Sequence, residues 1–138
     1  MDDIRQSQTE ENLIDAFSIE AENALRYAWF ANRASMEGLA DTAMLFASSA
    51  AAKQAQATGH LQYLRKDPIS GSPTNRTRLN IQSAIQSENF KALEMYPQMA
   101  AVARKEGFHD IADWFESLIK ARQNSERRLN NTLYTLLD

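Results

Sequence analysis

The chain has 138 residues, of which 43% are hydrophobic and 24% are charged, and its formal net charge is −3. This length suits one domain with one hydrophobic core. The slightly negative charge argues against binding to nucleic acid or to an anionic membrane surface. No apolar run reaches the roughly 18 residues that a membrane-spanning helix needs. Cysteine is absent, which excludes disulfides, thiolate zinc sites and iron–sulfur centres. With a polar N-terminus that is no signal peptide, a cytoplasmic location is expected.

Four long segments are predicted to be helical, at about residues 10–37, 42–65, 77–106 and 110–137. Gly38 and Gly107 are expected to end the first and third segments. Residues 67–76, with the sequence DPISGSPTNR, form the one stretch rich in Pro, Gly and Ser, and this stretch is predicted to be a loop. Pro97 must bend the third helix or loosen one of its turns, because proline lacks a backbone donor.

Each segment carries apolar residues at alternating steps of three and four, which is typical of a helix that buries one face in a bundle. The predicted inward stripe of the first helix is Leu13, Phe17, Glu20, Ala24, Tyr27, Ala31 and Ala34. The stripe of the third helix is Ile81, Ile85, Glu88, Ala92, Met95, Met99 and Val102. The sequence therefore predicts an all-α protein, a single antiparallel four-helix bundle over residues 1–138.

The chain also contains an internal repeat. A shift of 69 residues places residues 34–54 on residues 103–123 with nine identities, and it places Tyr27 on Tyr96. The bundle is therefore predicted to be two copies of one helical hairpin, joined by the loop. Ten extended residues span roughly 33 Å, which permits either a crossover within the chain or an exchange of hairpins between two chains.

Each predicted stripe holds one ionisable residue near the middle of its helix. These residues are Glu20, Lys53, Glu88 and Arg122, and Lys91 follows Glu88 by three positions. Isolated buried charge is costly, so such groups are expected to pair with one another or to bind something. The two glutamates can be neutralised by the lysines and the arginine, without a metal.

The sequence resembles the ferritin-like domain of rubrerythrins from about residue 12 to residue 133. The resemblance is carried by AFSIEAENALRYAWFANRASMEG, FASSAAAKQAQATGHLQYL, AIQSENFKALEMYPQMAAVARKEGF and IADWFESLIKAR. It implies a ferritin-like bundle of two hairpins around a di-iron site that reduces peroxide or handles oxygen. In that family, Glu ligands come from the first and third helices, and a Glu-x-x-His pair comes from each of the other two. Family members are often served by a rubredoxin iron, which needs cysteines that this chain lacks.

Carried over by position, the implied ligand set is largely replaced. Glu20 stands at the first-helix Glu position, and Glu88 stands at the first of two third-helix Glu positions. The remaining positions hold Lys91, then Lys53 and Gln56 in the second helix, and Arg122 and Ser125 in the fourth. Since ammonium and guanidinium groups cannot ligate a metal, we expect no metal and no other cofactor. We expect Glu20 and Glu88 to form salt bridges with the three cations.

Three further residues lie on inward stripes close to this layer. His60 has no Glu three positions before it, so it is expected to be a hydrogen-bonded core residue rather than a ligand. Tyr27 and Tyr96 match each other in the repeat, and the resemblance implies that such tyrosines flank the irons of active relatives. Here they are expected to be packing residues.

Three functions are compatible with these features. The first is a non-catalytic binding or assembly protein that has lost its di-iron site. Such a protein is expected to form a homodimer and to bind a further, unidentified protein partner. The second is a rubrerythrin-type non-haem iron oxidoreductase or peroxidase with a residual or displaced metal site, made from Glu20, Glu88 and either Glu94 or His60. The third is a site for an anion or small molecule among the core cations. The first function is expected, and it implies no enzymatic activity.

Overall fold

The computed structural model describes residues 3–136, and its regular structure is helical throughout. The elements are α1 (Gln8–Met36), α2 (Ala40–Leu64), α3 (Thr77–Phe90), a π-helix (Lys91–Met95), α4 (Tyr96–Lys105) and α5 (His109–Thr135). Within residues 3–136 there is no β-strand. The prediction of an all-α protein is therefore confirmed.

The elements form two compact units, one up to Pro68 and the other from Ile69 onwards. In the first unit, which we call the first hairpin, α1 packs along α2. In the second unit, the second hairpin, α3, the π-helix and α4 pack along α5. No helix in the described part of the chain is long and apolar enough to cross a membrane.

The tight turns within the two hairpins depend on glycine. Gly38 follows α1 with a φ of +78°, and Gly107 follows α4 with a φ of +87°. These are left-handed backbone conformations, which a residue with a Cβ adopts only at a cost. In each turn, the residue after the glycine donates its backbone N–H to the alanine carbonyl five positions earlier, from Leu39 to Ala34 and from Phe108 to Ala103. The two turns are thus built in the same way, as the repeat suggests.

The helices of each hairpin meet mainly through small side chains. The buried apolar residues among residues 3–136 are Ala34, Ala57, Leu64, Ile81, Ala92, Ala100, Ala103 and Ala112. Aromatic rings also pack between the two sides of each hairpin. Tyr27 packs on Phe46 with ring centroids 6.1 Å apart, and Tyr96 stacks on Phe115 at 6.0 Å. Both pairs stand at matching positions of the repeat.

The predicted stripe of the third helix is wrong beyond its middle. Met99 and Val102 were expected to face inward, but they are 43% and 55% exposed. Ala100 and Ala103, one position further along in each case, are 3% and 6% exposed. The stripe moves by one residue because the chain passes through the π-helix, whose turn holds one residue more than an α-turn.

One buried ion pair was not expected from the sequence. Glu10, in the first turn of α1, is 8% exposed, and its Oε1 lies 3.0 Å from Nζ of Lys66. Ser7 caps the same turn by accepting the backbone N–H of Glu10 at 3.0 Å. The pair ties the start of α1 to the chain just beyond α2, so it closes the open end of the first hairpin.

Candidate functional site

The first hairpin places Glu20 of α1 opposite Lys53 of α2. Oε2 of Glu20 lies 3.1 Å from Nζ of Lys53, and the side chains are 18% and 28% exposed. Lys53 also donates a hydrogen bond to Oε1 of Gln56, one helical turn further on, at 3.2 Å. One carboxylate therefore faces one ammonium group, and this pair is electrically neutral.

The second hairpin gives its carboxylate two cations. Oε1 of Glu88 lies 3.4 Å from Nη1 of Arg122 across the hairpin, and 4.0 Å from Nζ of Lys91 on its own chain segment. The Glu88 side chain is 13% exposed. We call Glu88, Lys91 and Arg122 the second cluster. It carries one more positive than negative charge, so it favours an additional negative charge nearby.

Two atoms of the second cluster are buried without a hydrogen-bond partner among the described residues. They are Oε2 of Glu88, an acceptor, and Nε of Arg122, a donor. Leaving such atoms unpaired costs free energy. A small molecule that can both donate and accept a hydrogen bond therefore matches the pair.

Hydroxyl groups lie beside Glu88. A groove of about 330 Å³ in the second hairpin is lined by Glu88, Ser125, Arg128, Leu129 and Thr132. Ser125 stands one helical turn after Arg122 on α5, at a position that the resemblance assigns to a histidine ligand. The groove adds donors and acceptors next to the carboxylate, and it is large enough for small polar molecules.

Of the other residues singled out from the sequence, the two tyrosines pack against aromatic rings. Tyr27 contacts Phe30 as well as Phe46, and Tyr96 contacts Phe115. His60 is half-buried on α2, and Gln56 is exposed. Among the described residues, no three His, Asp or Glu side chains come together in a group that suits a metal ion.

A pair of irons is the cofactor that the resemblance implies, and the residues present do not fit it. Such a pair requires carboxylate and imidazole ligands. Here, each implied carboxylate position that remains acidic is occupied by an ion pair to Lys53 or Arg122. Cationic side chains have no lone pair to donate, and they repel metal ions. We therefore assign no chemical step to a di-iron pair.

An anion site built from free core cations is not favoured either. Lys53, Lys91 and Arg122 each lie within 4.0 Å of a glutamate oxygen. An anion would have to compete with these carboxylates. Only the second cluster, with two cations for one carboxylate, keeps an excess of positive charge.

The comparisons with known proteins agree with the resemblance. The rubrerythrin family model matches residues 11–133. Rubrerythrin from Nitratidesulfovibrio vulgaris is 28% identical over 134 residues, which cover 93% of this chain and 70% of the relative. Rubrerythrin from Porphyromonas gingivalis is 30% identical over 91% of this chain and 66% of its own length. Rubrerythrin-1 from Clostridium acetobutylicum is 28% identical over 96% and 73%. The chain thus spans about 70% of the length of these relatives.

These relatives correct the expected function. A non-catalytic binding or assembly protein without its di-iron site was expected, but relatives that match more than nine-tenths of the chain are named rubrerythrins. Their similarity supports the alternative of a rubrerythrin-type oxidoreductase. The structure does not show that the iron site has been lost. It shows that the described residues contain no group of three acidic or histidine side chains suited to a metal.

Proposed function

This chain belongs to the rubrerythrin family, and from that premise we propose that it is a rubrerythrin-type oxidoreductase that reduces peroxide. Membership also confirms the predicted ferritin-like four-helix fold class. The observation that carries the proposal is the extent of the similarity. The family match runs over residues 11–133, so it covers most of both hairpins, including Glu20, Lys53, Glu88, Lys91 and Arg122.

The second cluster supports peroxide as the substrate class. Hydrogen peroxide has O–H groups, which can donate to the buried Oε2 of Glu88, and lone pairs, which can accept from the buried Nε of Arg122. The positive charges of Lys91 and Arg122 stabilise the negative charge that develops on oxygen as the O–O bond breaks. Glu88, at 13% exposure, is largely shielded from water, which strengthens these interactions.

The reaction needs electrons from outside these side chains. Reduction of hydrogen peroxide to two waters consumes two electrons and two protons, and Glu, Lys and Arg supply no electrons. A displaced metal site or an external one-electron carrier would supply them, and in the test below ferrous iron is the electron donor.

The test uses the full chain incubated anaerobically with ferrous iron and then desalted. Iron content is measured first, and the decay of hydrogen peroxide is then followed with two ferrous ions supplied per peroxide. We expect faster decay than with the same amount of free iron. Glu88→Gln should lower the rate constant at least about tenfold, because the amide donates where the carboxylate accepts.

Glu94→Gln is the matched control for this variant. Glu94 lies six residues further along the same chain segment, and it is exposed. Its replacement removes the same charge from the surface, so the rate should stay within about twofold. The proposal is wrong if the protein adds nothing to the rate of free iron, or if both variants lower the rate equally.

A cytoplasmic location is also part of the proposal. Cell fractionation of a producing strain, with antibody detection of the chain, tests it. Recovery of the chain in an extracytoplasmic fraction would contradict it.

A further inference from the structure

The two hairpins hold equivalent contacts at slightly different spacings. Lys53 and Arg122 are 69 residues apart, as are Phe46 and Phe115. Tyr27 and Tyr96 follow the same interval. The two glutamates do not follow it, because Glu20 and Glu88 are only 68 residues apart.

The long helix of the second hairpin therefore has one additional residue between its glutamate and its tyrosine. Seven positions separate Glu20 from Tyr27, whereas eight separate Glu88 from Tyr96. In a regular α-helix, one additional residue turns everything beyond it by about 100°. Glu88 and Tyr96 could not then both face α5.

Both contacts are nevertheless present in both hairpins. The Glu–cation distances are 3.1 Å for Glu20–Lys53 and 3.4 Å for Glu88–Arg122. The Tyr–Phe centroid distances are 6.1 Å and 6.0 Å. Some local change of the helix must therefore absorb the additional residue.

The burial pattern locates this change. Up to the middle of the helix, inward positions of the two hairpins match with an interval of 68, as for Ala24 and Ala92. Beyond it they match with 69, as for Ala31 with Ala100 and Ala34 with Ala103. The additional residue therefore lies between positions 92 and 96, and the π-helix Lys91–Met95 spans this interval.

We infer that the π-helix is a positioning element that absorbs one inserted residue and so keeps Glu88 on Arg122. The backbone N–H of Tyr96 bonds to the carbonyl of Lys91, five positions earlier, so this turn holds one residue more than an α-turn. Pro97 follows directly, and without an N–H it cannot donate the α-helical bond to residue 93. Glu88, Lys91 and Arg122 owe their arrangement to this turn.

Because the π-helix absorbs one inserted residue, the protein should tolerate the deletion of one residue from it. Leu93 is 70% exposed, and its deletion gives the second hairpin the spacing of seven that the first hairpin already has. The deletion is combined with Pro97→Ala, because a proline inside a regular α-helix clashes with the carbonyl four positions earlier. The segment should then form a regular α-helix with both contacts intact. We call this double variant ΔLeu93, and we expect it to fold with an unfolding equilibrium constant within about tenfold of that of Pro97→Ala alone.

The matched control is the same deletion in the first hairpin, made in the same Pro97→Ala background. Leu25 corresponds to Leu93 at the interval of 68, and it is 76% exposed. No π-turn lies between Glu20 and Tyr27, so ΔLeu25 turns Glu20 away from Lys53 by about 100°. We expect ΔLeu25 to be unfolded, or at least about 100-fold less stable than ΔLeu93.

A second measurement reports on positioning rather than on stability alone. A double-mutant cycle with Glu88→Gln and Arg122→Gln gives the coupling of these two side chains, expected to be about two- to tenfold in the unfolding equilibrium constant. The coupling should be retained in ΔLeu93. Equal damage by the two deletions, an unfolded ΔLeu93, or loss of the coupling in ΔLeu93 would each overturn the inference.

Discussion

At the level of single residues, three glutamates that the fold shields from water are each paired with a cation. These are Glu20, Glu88 and Glu10, and each has a cation within 4.0 Å. The Glu20 and Glu88 pairs could be predicted, because all their members lie on the inward stripes. The pair of Glu10 with Lys66 could not, because Lys66 lies beyond the end of the helical pattern.

The Glu10–Lys66 pair leads to a stability prediction. Lys66→Met removes the ammonium group 3.0 Å from a carboxylate that is almost fully buried. The remaining charge would be shielded from water without its ion-pair partner, so we expect a loss of about 1–3 kcal/mol in the free energy of unfolding. Urea denaturation measures this loss.

Arg33→Met is the control for this variant. Arg33 lies 3.9 Å from Glu37 in a pair that is more than half exposed on both sides. Such surface pairs contribute about 0.5 kcal/mol or less. Similar losses in the two variants would show that burial does not determine the strength of the Glu10–Lys66 pair.

Arg104 shows the contrasting behaviour of an exposed network. It donates hydrogen bonds to Glu116 at 2.8 Å and to Asp113 at 3.0 Å across the end of the second hairpin. These bonds raise the pKa of the Arg104 guanidinium above its ordinary value. The group is fully charged at neutral pH in any case, so the network does not make stability depend on pH near neutrality.

At the level of elements, the sequence predicted the helices better than the register within them. The apolar periodicity located four helical segments, and Pro97 marked the third as irregular. The inward stripe was then extended at a constant α-helical period, which placed Met99 and Val102 inside although they are exposed. The sequence did contain the missing information, since the Glu–Tyr spacing is seven in one hairpin and eight in the other.

Replacing glycine by alanine is expected to change stability in opposite directions at two positions. A Cβ added at Gly59 or at Gly107 meets no atom within 4 Å, so sterics with neighbours do not distinguish the two sites. Gly59 lies inside α2, where alanine should stabilise the protein by about 0.5–1 kcal/mol. Gly107 has a φ of +87°, where alanine should destabilise it by about 1 kcal/mol.

Urea denaturation of Gly59→Ala and Gly107→Ala tests this difference. Gly38→Ala serves as a third variant, since its φ of +78° predicts the same sign as Gly107→Ala. A destabilised Gly59→Ala would mean that the small size of this residue, rather than its backbone freedom, is required in the folded protein.

At the level of the whole molecule, the sequence identifies the family and the fold, but it does not reveal the catalytic chemistry. The similarity over residues 11–133 identifies the fold and favours an oxidoreductase. The residues at the implied ligand positions suggested a protein without catalysis, because charge and ligand type can be read directly from a sequence. A displaced metal site or an external electron donor leaves no such pattern of residue types in the sequence. Reasoning from the residue types at the implied ligand positions therefore led to the wrong function.

The sequence also predicts a homodimer, and its central loop permits the two chains either to exchange hairpins or to keep their own. Among the described residues, no large side chain is fully buried, and a unit of about 65 residues buries only about 60% of the surface of its unfolded chain, so its stability alone is marginal. We therefore expect each hairpin to pair with a second one. The loop at residues 67–76 is long enough for that hairpin to come from the same chain or from another.

Light scattering after size-exclusion chromatography should give twice the chain mass of 15.6 kDa. If the hairpins are exchanged, eight Gly and Ser residues inserted into the loop at residues 67–76 should raise the monomer fraction, because a longer and more flexible connection makes pairing within one chain easier. The same eight residues appended after residue 138 provide the control. A monomeric wild-type chain at about 10 μM would contradict the homodimer. A dimer that ignores the loop insertion would contradict the exchange, because an unexchanged dimer interface does not depend on the length of this connection.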